Sequence, residues 1–329
     1  MTKVAIIGCG GISQVHAWAL SQMDDVLMTA FCDTIPAKAE ALAEKYIKGT
    51  NYDVYADYRE LLKSDVDVVH ICTPHYLHAP MAFDFLNHGK AVFMEKPCAI
   101  SLEQFKALKE ADKRNPGKLG ICFQNRYNCS TLKMDEMISE GKIGYVIGGR
   151  AFVTWRRDKD YYESSDWKGR LASEGGGALI NQSIHTLDLI LRYLGTPNKV
   201  EGSIDKHHLY DIEVEDTVEA WLSFPDGKRA CFYASNGYAN DAPVIIEIQG
   251  DKGRIMLNGT DIFLWNENGE CNQIKCEEPE GIGKGYWGSG HKACIEDFYR
   301  SLISGETFKN NLDSVESTFR TVFSIYNQN

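Results

Sequence analysis

KVAIIGCGGIS, running from Lys3 to Ser13, joins a short apolar run to a cluster of glycines and then to a helical pattern that places Ile12, Val15, Ala19 and Met23 on one face. Gly8-x-Gly10-x-x-Ser13 matches the dinucleotide-binding fingerprint, with serine in the slot of the third glycine. Gly8 permits the tight turn and Gly10 lets the backbone approach a pyrophosphate. The helix opening near Gly11 and Ile12 offers N–H groups and a positive dipole end to it. Glycine spacing alone is a weak signal. The strand before it and the helix after it are the context that the motif requires.

A second strand, Val26 to Cys32, ends in Asp33. An acidic side chain there suits the hydroxyls of an adenosine ribose and repels a 2′-phosphate, which favours NAD over NADP. Asp33 also suits a cap on the helix that starts near Pro36. The alternation continues with helix Pro36 to Tyr46, a strand near Val54, helix Asp57 to Lys63 and strand Val66 to Cys72. Strands separated by helices predict a doubly wound parallel sheet. Thr73 and Pro74 follow the fourth strand and are placed to line a cofactor groove. His75 and His78 lie just beyond, either in that groove or as ordinary residues of a starting helix. In KAVFMEKPCA, Lys90 to Ala99, an apolar strand stops abruptly at Glu95, Lys96 and Pro97. Ligands of open parallel sheets bind outside the carboxyl ends of the strands, so Lys96 is a catalytic candidate; the alternative is a solvated lysine in a turn. Ser101-x-x-Gln104 is a capping box, and strand Leu119 to Phe123 completes a first domain over residues 1–123.

Residues 124–329 have a different texture. Period-two alternation marks strands at Tyr145 to Trp155, Val214 to Phe224, Arg229 to Ser235, Val244 to Gln249, Arg254 to Leu257 and Asp261 to Trp265. Turn residues at Pro225-Asp226-Gly227, Asn258-Gly259 and Asn268-Gly269 predict hairpins and a mostly antiparallel sheet. Helices at Ala178 to Leu194, His291 to Ile303 and Leu312 to Tyr326 are placed to cover one face. The other is apolar enough to be buried against a second subunit. In the first of these helices an apolar stripe is matched by a polar one, Asn181, His185, Asp188 and Arg192. Such a stripe suits a solvated surface. The preceding Gly175-Gly176-Gly177, however, admits close approach by something bulky, and histidine suits proton transfer near neutral pH. His185 is the second catalytic candidate.

The 329 residues are 43% hydrophobic and 25% charged, with 35 Lys plus Arg against 46 Asp plus Glu. A formal charge of −11 argues against nucleic acid or an anionic membrane as partner. Ten cysteines show no C-x-x-C pair and no histidine at zinc-ligand spacing, so free thiols, no metal and a reducing cytoplasm are expected. The chain enters strand-like sequence directly after Met1-Thr2-Lys3, with no signal peptide or membrane-spanning run expected.

With Gly8-x-Gly10, Glu95-Lys96-Pro97 and GGGALINQSIHTLD (Gly175 to Asp188) in this order, the chain resembles the glucose–fructose oxidoreductase/inositol dehydrogenase/MocA family over essentially its full length. The resemblance implies an α/β Rossmann domain followed by an α+β domain with a large open-faced, mostly antiparallel sheet. It also implies NAD(P)-dependent oxidation or reduction of sugars, inositols and related polyols, and a homodimer or homotetramer built through the open face. Lys96 matches the family's site lysine beside the nicotinamide, with Lys96-Pro97 a candidate cis bond, and His185 matches its proton-transfer histidine. Asn181 stands where many members carry aspartate; an amide can hydrogen-bond but cannot hold charge. Substrate contacts are expected from Arg126 and from the polar, aromatic run Trp155 to Trp167, notably Arg156, Tyr162 and Trp167, with His291 a further candidate. Two other functions share the fold: a glycosidase that retains NAD, and a non-catalytic NAD-binding sensor.

Overall fold

The computed structural model describes residues 1–49, 51–206, 211–277, 281–282 and 288–328. The chain divides into two units, Met1–Tyr127 with Glu280–Ser314, and Asn128–Pro279 with Val315–Asn329. No helix among the described residues is long and apolar enough to cross a membrane.

The first unit opens with β1 (Thr2–Ile7), α1 (Ser13–Leu20), β2 (Val26–Cys32), α2 (Pro36–Tyr46) and β3 (Asp53–Tyr55). It continues through β4 (Val68–Ile71), α3 (His75–Asn87), β5 (Ala91–Glu95), α4 (Leu102–Arg114) and β6 (Leu119–Cys122). The six strands pair in parallel in the order β3-β2-β1-β4-β5-β6. The chain therefore reverses its winding between β1 and β4, and the crevice outside their carboxyl ends is where such sheets take ligands. β4, β5 and β6 are buried at every position, because a sheet covered on both faces needs apolar side chains on both. The capping box holds: Gln104 N donates to Ser101 Oγ at 3.2 Å, while Gln104 Oε1 accepts from the N–H of Ile100 at 3.0 Å. The helix expected over Asp57 to Lys63 is a 3-10 helix, Tyr58–Lys63, whose first turn is capped by Asp57.

The second unit contains α5 (Cys129–Ser139), β7 (Val146–Thr154), α6 (Lys159–Glu163), α7 (Leu171–Glu174) and α8 (Ile184–Leu194). Seven further strands follow: β8 (Lys199–Asp205), β9 (Thr217–Ser223), β10 (Arg229–Ser235), β11 (Ile245–Gly250), β12 (Gly253–Asn258), β13 (Asp261–Asn266) and β14 (Cys271–Ile274). The eight strands run β14-β13-β12-β11-β7-β10-β9-β8, antiparallel except where β7 lies parallel to β10. β8 and β14 at the two edges were not anticipated; being half-exposed, they lack a strong apolar alternation. α8 lies across β7 and β11, burying Ile184, Leu187, Leu191 and Leu194.

Two expectations need correction. The helix predicted from Ala178 to Leu194 is broken: Ala178–Gln182 is a turn of π-helix, and α8 begins only after Ser183. The Ser183 hydroxyl donates to the carbonyls of Ala178 and Leu179, at 2.7 and 3.2 Å, which serves acceptors that the break exposes. The helix α9 (His291–Ser304) does not cover the second sheet. It belongs to the first unit, where Cys294, Ile295, Phe298 and Tyr299 join the core of Val4, Ile6, Ala17 and Phe93. The last helix, α10 (Leu312–Tyr326), turns Thr318 and Tyr326 into the second unit, where they bond Asp188 and Glu215.

α9 can sit close to β6 because position 120 lacks a side chain. A Cβ there would stand 2.6 Å from the ring of Phe298 and 3.0 Å from that of Phe308, both buried. Gly120→Ala should therefore cost about 1–3 kcal/mol of stability through overpacking. A denaturation midpoint unchanged from wild type would show that the helix does not pack here.

Candidate active site

Gly8 has φ +85°, and a Cβ on it would lie 2.7 Å from the carbonyl of Cys72, so this turn accepts glycine alone. It brings the end of β1 against the end of β4. At Gly10 and Gly11 an added Cβ would meet nothing within 4 Å, leaving bare backbone at the start of α1, a helix that no side chain caps. Ser13 turns inward, its hydroxyl donating to the Gly10 carbonyl at 2.7 Å. At the end of β2, Asp33 accepts the N–H of Cys9 at 2.8 Å and that of Ile35 at 2.9 Å. One carboxylate thus ties the glycine loop to the next crossover and keeps lone pairs for a diol. The bare N-terminus, the glycine cradle and this acidic group fit a dinucleotide.

Glu95 and Lys96 end β5, and the Lys96–Pro97 bond is cis. Lys96 is half-buried. Beneath it runs a chain of buried polar groups: Glu95 Oε1 lies 3.0 Å from His16 Nε2, His16 Nδ1 lies 2.8 Å from His70 Nδ1, and His70 Nε2 lies 2.9 Å from the Tyr299 hydroxyl. Burial would strip His16 of its proton, but hydrogen bonds to Cys122 and Glu95 outweigh it and raise the imidazole to about 9. Cys122 remains a thiol, since burial pushes it well above its ordinary value, so the balancing charge is that of Glu95. Burial alone would push the Glu95 carboxyl up; the bond and charge from His16 hold it well below the usual carboxylate range. His70, driven well down by burial and by the His16 charge, is neutral. The proton order follows: His16 as imidazolium donates to both Glu95 and His70, and His70 donates to Tyr299. His16, Glu95 and Cys122 place donor atoms within 4.8 Å of one another.

Other sequence candidates in this unit have internal duties. His78 is buried between the carbonyls of Pro97 and Thr73, at 2.8 and 2.7 Å, bracing the loops after β4 and β5. Arg126 is buried, its guanidinium donating to Asn310 Oδ1, Ser314 Oγ and the Ser314 carbonyl, so it ties the chain's return segment in place. His291 begins α9, and burial lowers it to about 4 in spite of the nearby Glu95 charge.

In the second unit the glycine triplet admits the chain itself. A Cβ on Gly177 would stand 2.0 Å from the Glu215 carbonyl oxygen, and one on Gly176 would collide with the Tyr326 hydroxyl. The Glu215 carboxylate accepts the N–H groups of Gly177 and Leu179, both at 2.9 Å, and the Tyr326 hydroxyl at 2.9 Å, which anchors the π-turn carrying Asn181 and Gln182. Ahead of the triplet, Glu174 is buried and accepts from Gly169 N and from Asn181 Nδ2. Burial raises its carboxyl to about 7, against the pull of those two donors. Asn181 Nδ2 also lies 3.2 Å from the Tyr161 hydroxyl, and Gln182 Nε2 donates to the same oxygen at 2.7 Å. Gln182 Oε1 in turn accepts from Arg157 Nε at 3.0 Å, and Arg157 Nη1 reaches Asp241 at 3.1 Å. His185, half-buried, is in the first turn of α8, just past this network.

Of the residues expected to touch substrate, Tyr162 is buried with its hydroxyl taken by Asn236 at 3.3 Å, and Arg156 is exposed beside Asp158 at 3.9 Å. Trp167 is half-buried, its carbonyl accepting the Ser173 hydroxyl at 2.7 Å. Tyr161, Gln182, Glu174 and Glu215 form the network instead. Glu174 stands directly before the glycines and Gln182 within the same motif, and Tyr161 lies in the polar, aromatic run, while Glu215 carries no such mark in the sequence.

Comparison with known proteins agrees with this geometry. Residues 2–123 match the model of an oxidoreductase family with an NAD-binding Rossmann fold, and residues 131–256 match the GFO/IDH/MocA C-terminal domain. The chain belongs to the GFO/IDH/MocA oxidoreductase family. As an NAD-binding member it is 29% identical over 262 residues to inositol 2-dehydrogenase of Rhizobium meliloti (strain 1021), covering 77% of this chain and 74% of that one. It is 33% identical over 217 residues to D-glucoside 3-dehydrogenase of Escherichia coli (strain K12), covering 64% and 58%. Levoglucosan dehydrogenase in complex with NADH and L-sorbose has the same fold, with a TM-score of 0.88 at 20% identity over 99% of this chain and 96% of that one.

The His16–Glu95 pair has a pH signature. His16 is raised above its unfolded value of 6.5, so its contribution is complete below that pH and is lost as pH rises through about 9. Glu95 is lowered, so its contribution is present above about 4.5 and fades as pH falls toward its folded value. His16→Gln should be less stable than wild type by roughly 3 kcal/mol near pH 6, with the gap closing toward pH 9. Urea midpoints at several pH values test this; a gap that does not change with pH would exclude an imidazolium at position 16.

Proposed function

We propose that this family member is an NAD(H)-dependent dehydrogenase that moves hydride between nicotinamide and a secondary hydroxyl or ketone of a sugar, inositol or related polyol. The observation that carries the reading is the composition of the second-unit network. Amides, phenols and carboxylates there offer donors and acceptors to hydroxyls, and Arg157 is already paired with Asp241, so a neutral polyhydroxy ligand suits it better than an anion. The dehydrogenases of inositol and glucosides among the relatives support the same class.

Gly8, Gly10, Gly11 and Ile12 hold the pyrophosphate, Asp33 the adenosine ribose, and Thr73 and Pro74 line the path to Lys96; Glu95, a cofactor contact by its place at the strand end, is instead turned inward onto His16. Bound NAD supplies the hydride acceptor. His185 takes the proton of the reacting hydroxyl as its carbon is oxidised, Lys96 assists, and in reduction both return it. Lys96→Met and His185→Ala should each lower kcat by roughly 10² or more while NAD still binds. The assay is NADH formation across sugars, inositols and sugar acids, with NADP run in parallel. Near-normal turnover in either variant removes that residue from the mechanism, and tightly bound NAD with aglycone release but no free NADH would favour the glycosidase reading.

The sheet face opposite α8 carries Trp221, 61% exposed, near Phe152 and Tyr233. A second copy of the chain covering this face completes the reading as a dimer or tetramer. Trp221→Glu should then shift the mass by light scattering toward monomer; an unchanged oligomer would place the contact elsewhere.

A further inference from the structure

The hydrogen bonds around Tyr161 are unusual in their direction. Arg157 has only donors to offer, so the Gln182 oxygen faces it and Gln182 Nε2 is obliged to face the Tyr161 hydroxyl, 2.7 Å away. An ionised Glu174 can only accept, so Asn181 Nδ2 faces it, and the same amide nitrogen lies 3.2 Å from the Tyr161 hydroxyl. Two charged groups on either side thus fix two amides, and both amides give N–H to one phenol oxygen. Its own hydrogen cannot return to either donor, and among the described residues no acceptor receives it. The ring is held as firmly as the oxygen: Asp158 caps the short helix α6 by accepting the N–H of Tyr161 at 3.1 Å, Arg157 lies 5.5 Å from the ring centroid, and Lys168 lies 4.1 Å from it. The side chain is partly exposed, and the two amides stand three and four residues before His185.

A phenol arranged in this way is a directed donor. We propose that Tyr161 is a substrate-contacting residue, giving its hydroxyl hydrogen to one oxygen of the polyol and so selecting substrates that carry an oxygen at that position. The proposal rests on the polyol reading above. Gln182 and Asn181 are positioning residues for it, and Arg157 and Glu174 position those in turn. Two N–H donors on the phenol oxygen draw charge from it and make its O–H the stronger donor. Burial and the nearby Glu174 charge keep it from ionising.

The test is a comparison of parent and deoxy substrates. kcat/KM is measured for myo-inositol, D-glucose and methyl β-D-glucoside and for their monodeoxy counterparts, at about pH 8.5, above the value near 7 of Glu174. Wild type should lose about tenfold at one particular deoxy position, the range expected for one neutral hydrogen bond. Tyr161→Phe should reduce that penalty to less than about twofold and leave the penalties at other positions unchanged. Gln182→Glu serves as a second probe that keeps the tyrosine: the new carboxylate still pairs with Arg157 but now accepts the Tyr161 hydrogen, so the same penalty should vanish. This variant carries the test if Tyr161→Phe does not fold. Retention of every wild-type penalty in the folded variants, or no penalty at any position in wild type, would overturn the assignment while leaving the dehydrogenase reading intact. No turnover of any parent polyol by wild type would remove that reading, and this proposal with it.

Discussion

A carboxylate sealed inside a protein has to find donors, and the need of Glu95 organises the first unit. It is 7% exposed, so an unpaired charge would cost several kcal/mol. His16, on the helix that follows the glycine loop, supplies the positive partner from across the sheet. His70 on β4 then accepts from His16 and passes its other N–H to Tyr299 on α9. One ion pair and its extension therefore connect α1, β4, β5 and the returning helix, and all four elements bear on the strand end that presents Lys96. A lysine at the close of an apolar strand is common; here the residue directly before it is fixed by a satisfied buried ion pair.

The second unit solves the same problem with hydrogen bonds in place of a countercharge. Glu215 is surrounded by the N–H groups of Gly177 and Leu179 and by the Tyr326 hydroxyl. Three neutral donors do not cancel a charge, and burial accordingly raises both Glu215 and Glu174. What these carboxylates achieve is orientation. They hold the glycine segment, the π-turn and the Asn181 amide in fixed relation to the start of α8. The glycines serve close packing against Glu215 and Tyr326, so the space that they leave is filled by the chain itself.

What was legible in the sequence is what depends on neighbours in the chain. The β1–glycine–α1 unit, Asp33 at the end of β2, the capping box at Ser101 and the alternating strands β7 and β9 to β13 all carry their signals within a few residues. The placement of α9 does not. Its apolar positions suit any sheet, and the fit of Phe298 over Gly120 and the bond of Tyr299 to His70, both made with residues far away in the chain, select the first. Arg126 has the chemistry of a substrate contact, and only Asn310 and Ser314, far along the chain, show it to be occupied. Tyr161 and Tyr162 are indistinguishable by pattern, since the short helix α6 turns one toward Gln182 and the other toward Asn236. The break at Ser183 leaves no mark on the pattern, because the apolar stripe runs through it unchanged.

The amide at position 181 looks like a loss when viewed alone, because asparagine cannot carry the charge that aspartate would place one turn before His185. In the folded unit the choice follows from Glu174. An aspartate at 181 would set two carboxylates in direct contact, with Glu215 adding a third nearby charge, and one of them would have to remain protonated. An amide avoids that repulsion and does something that aspartate cannot: it gives one face to Glu174 and extends the same donor to Tyr161. The negative charge moves back to residue 174, where backbone and amide donors can hold it, and the turn before His185 is left with amide groups that hydrogen-bond Tyr161. Such amides and the phenol oxygen they fix are the kind of groups that the polyol proposed above would find complementary.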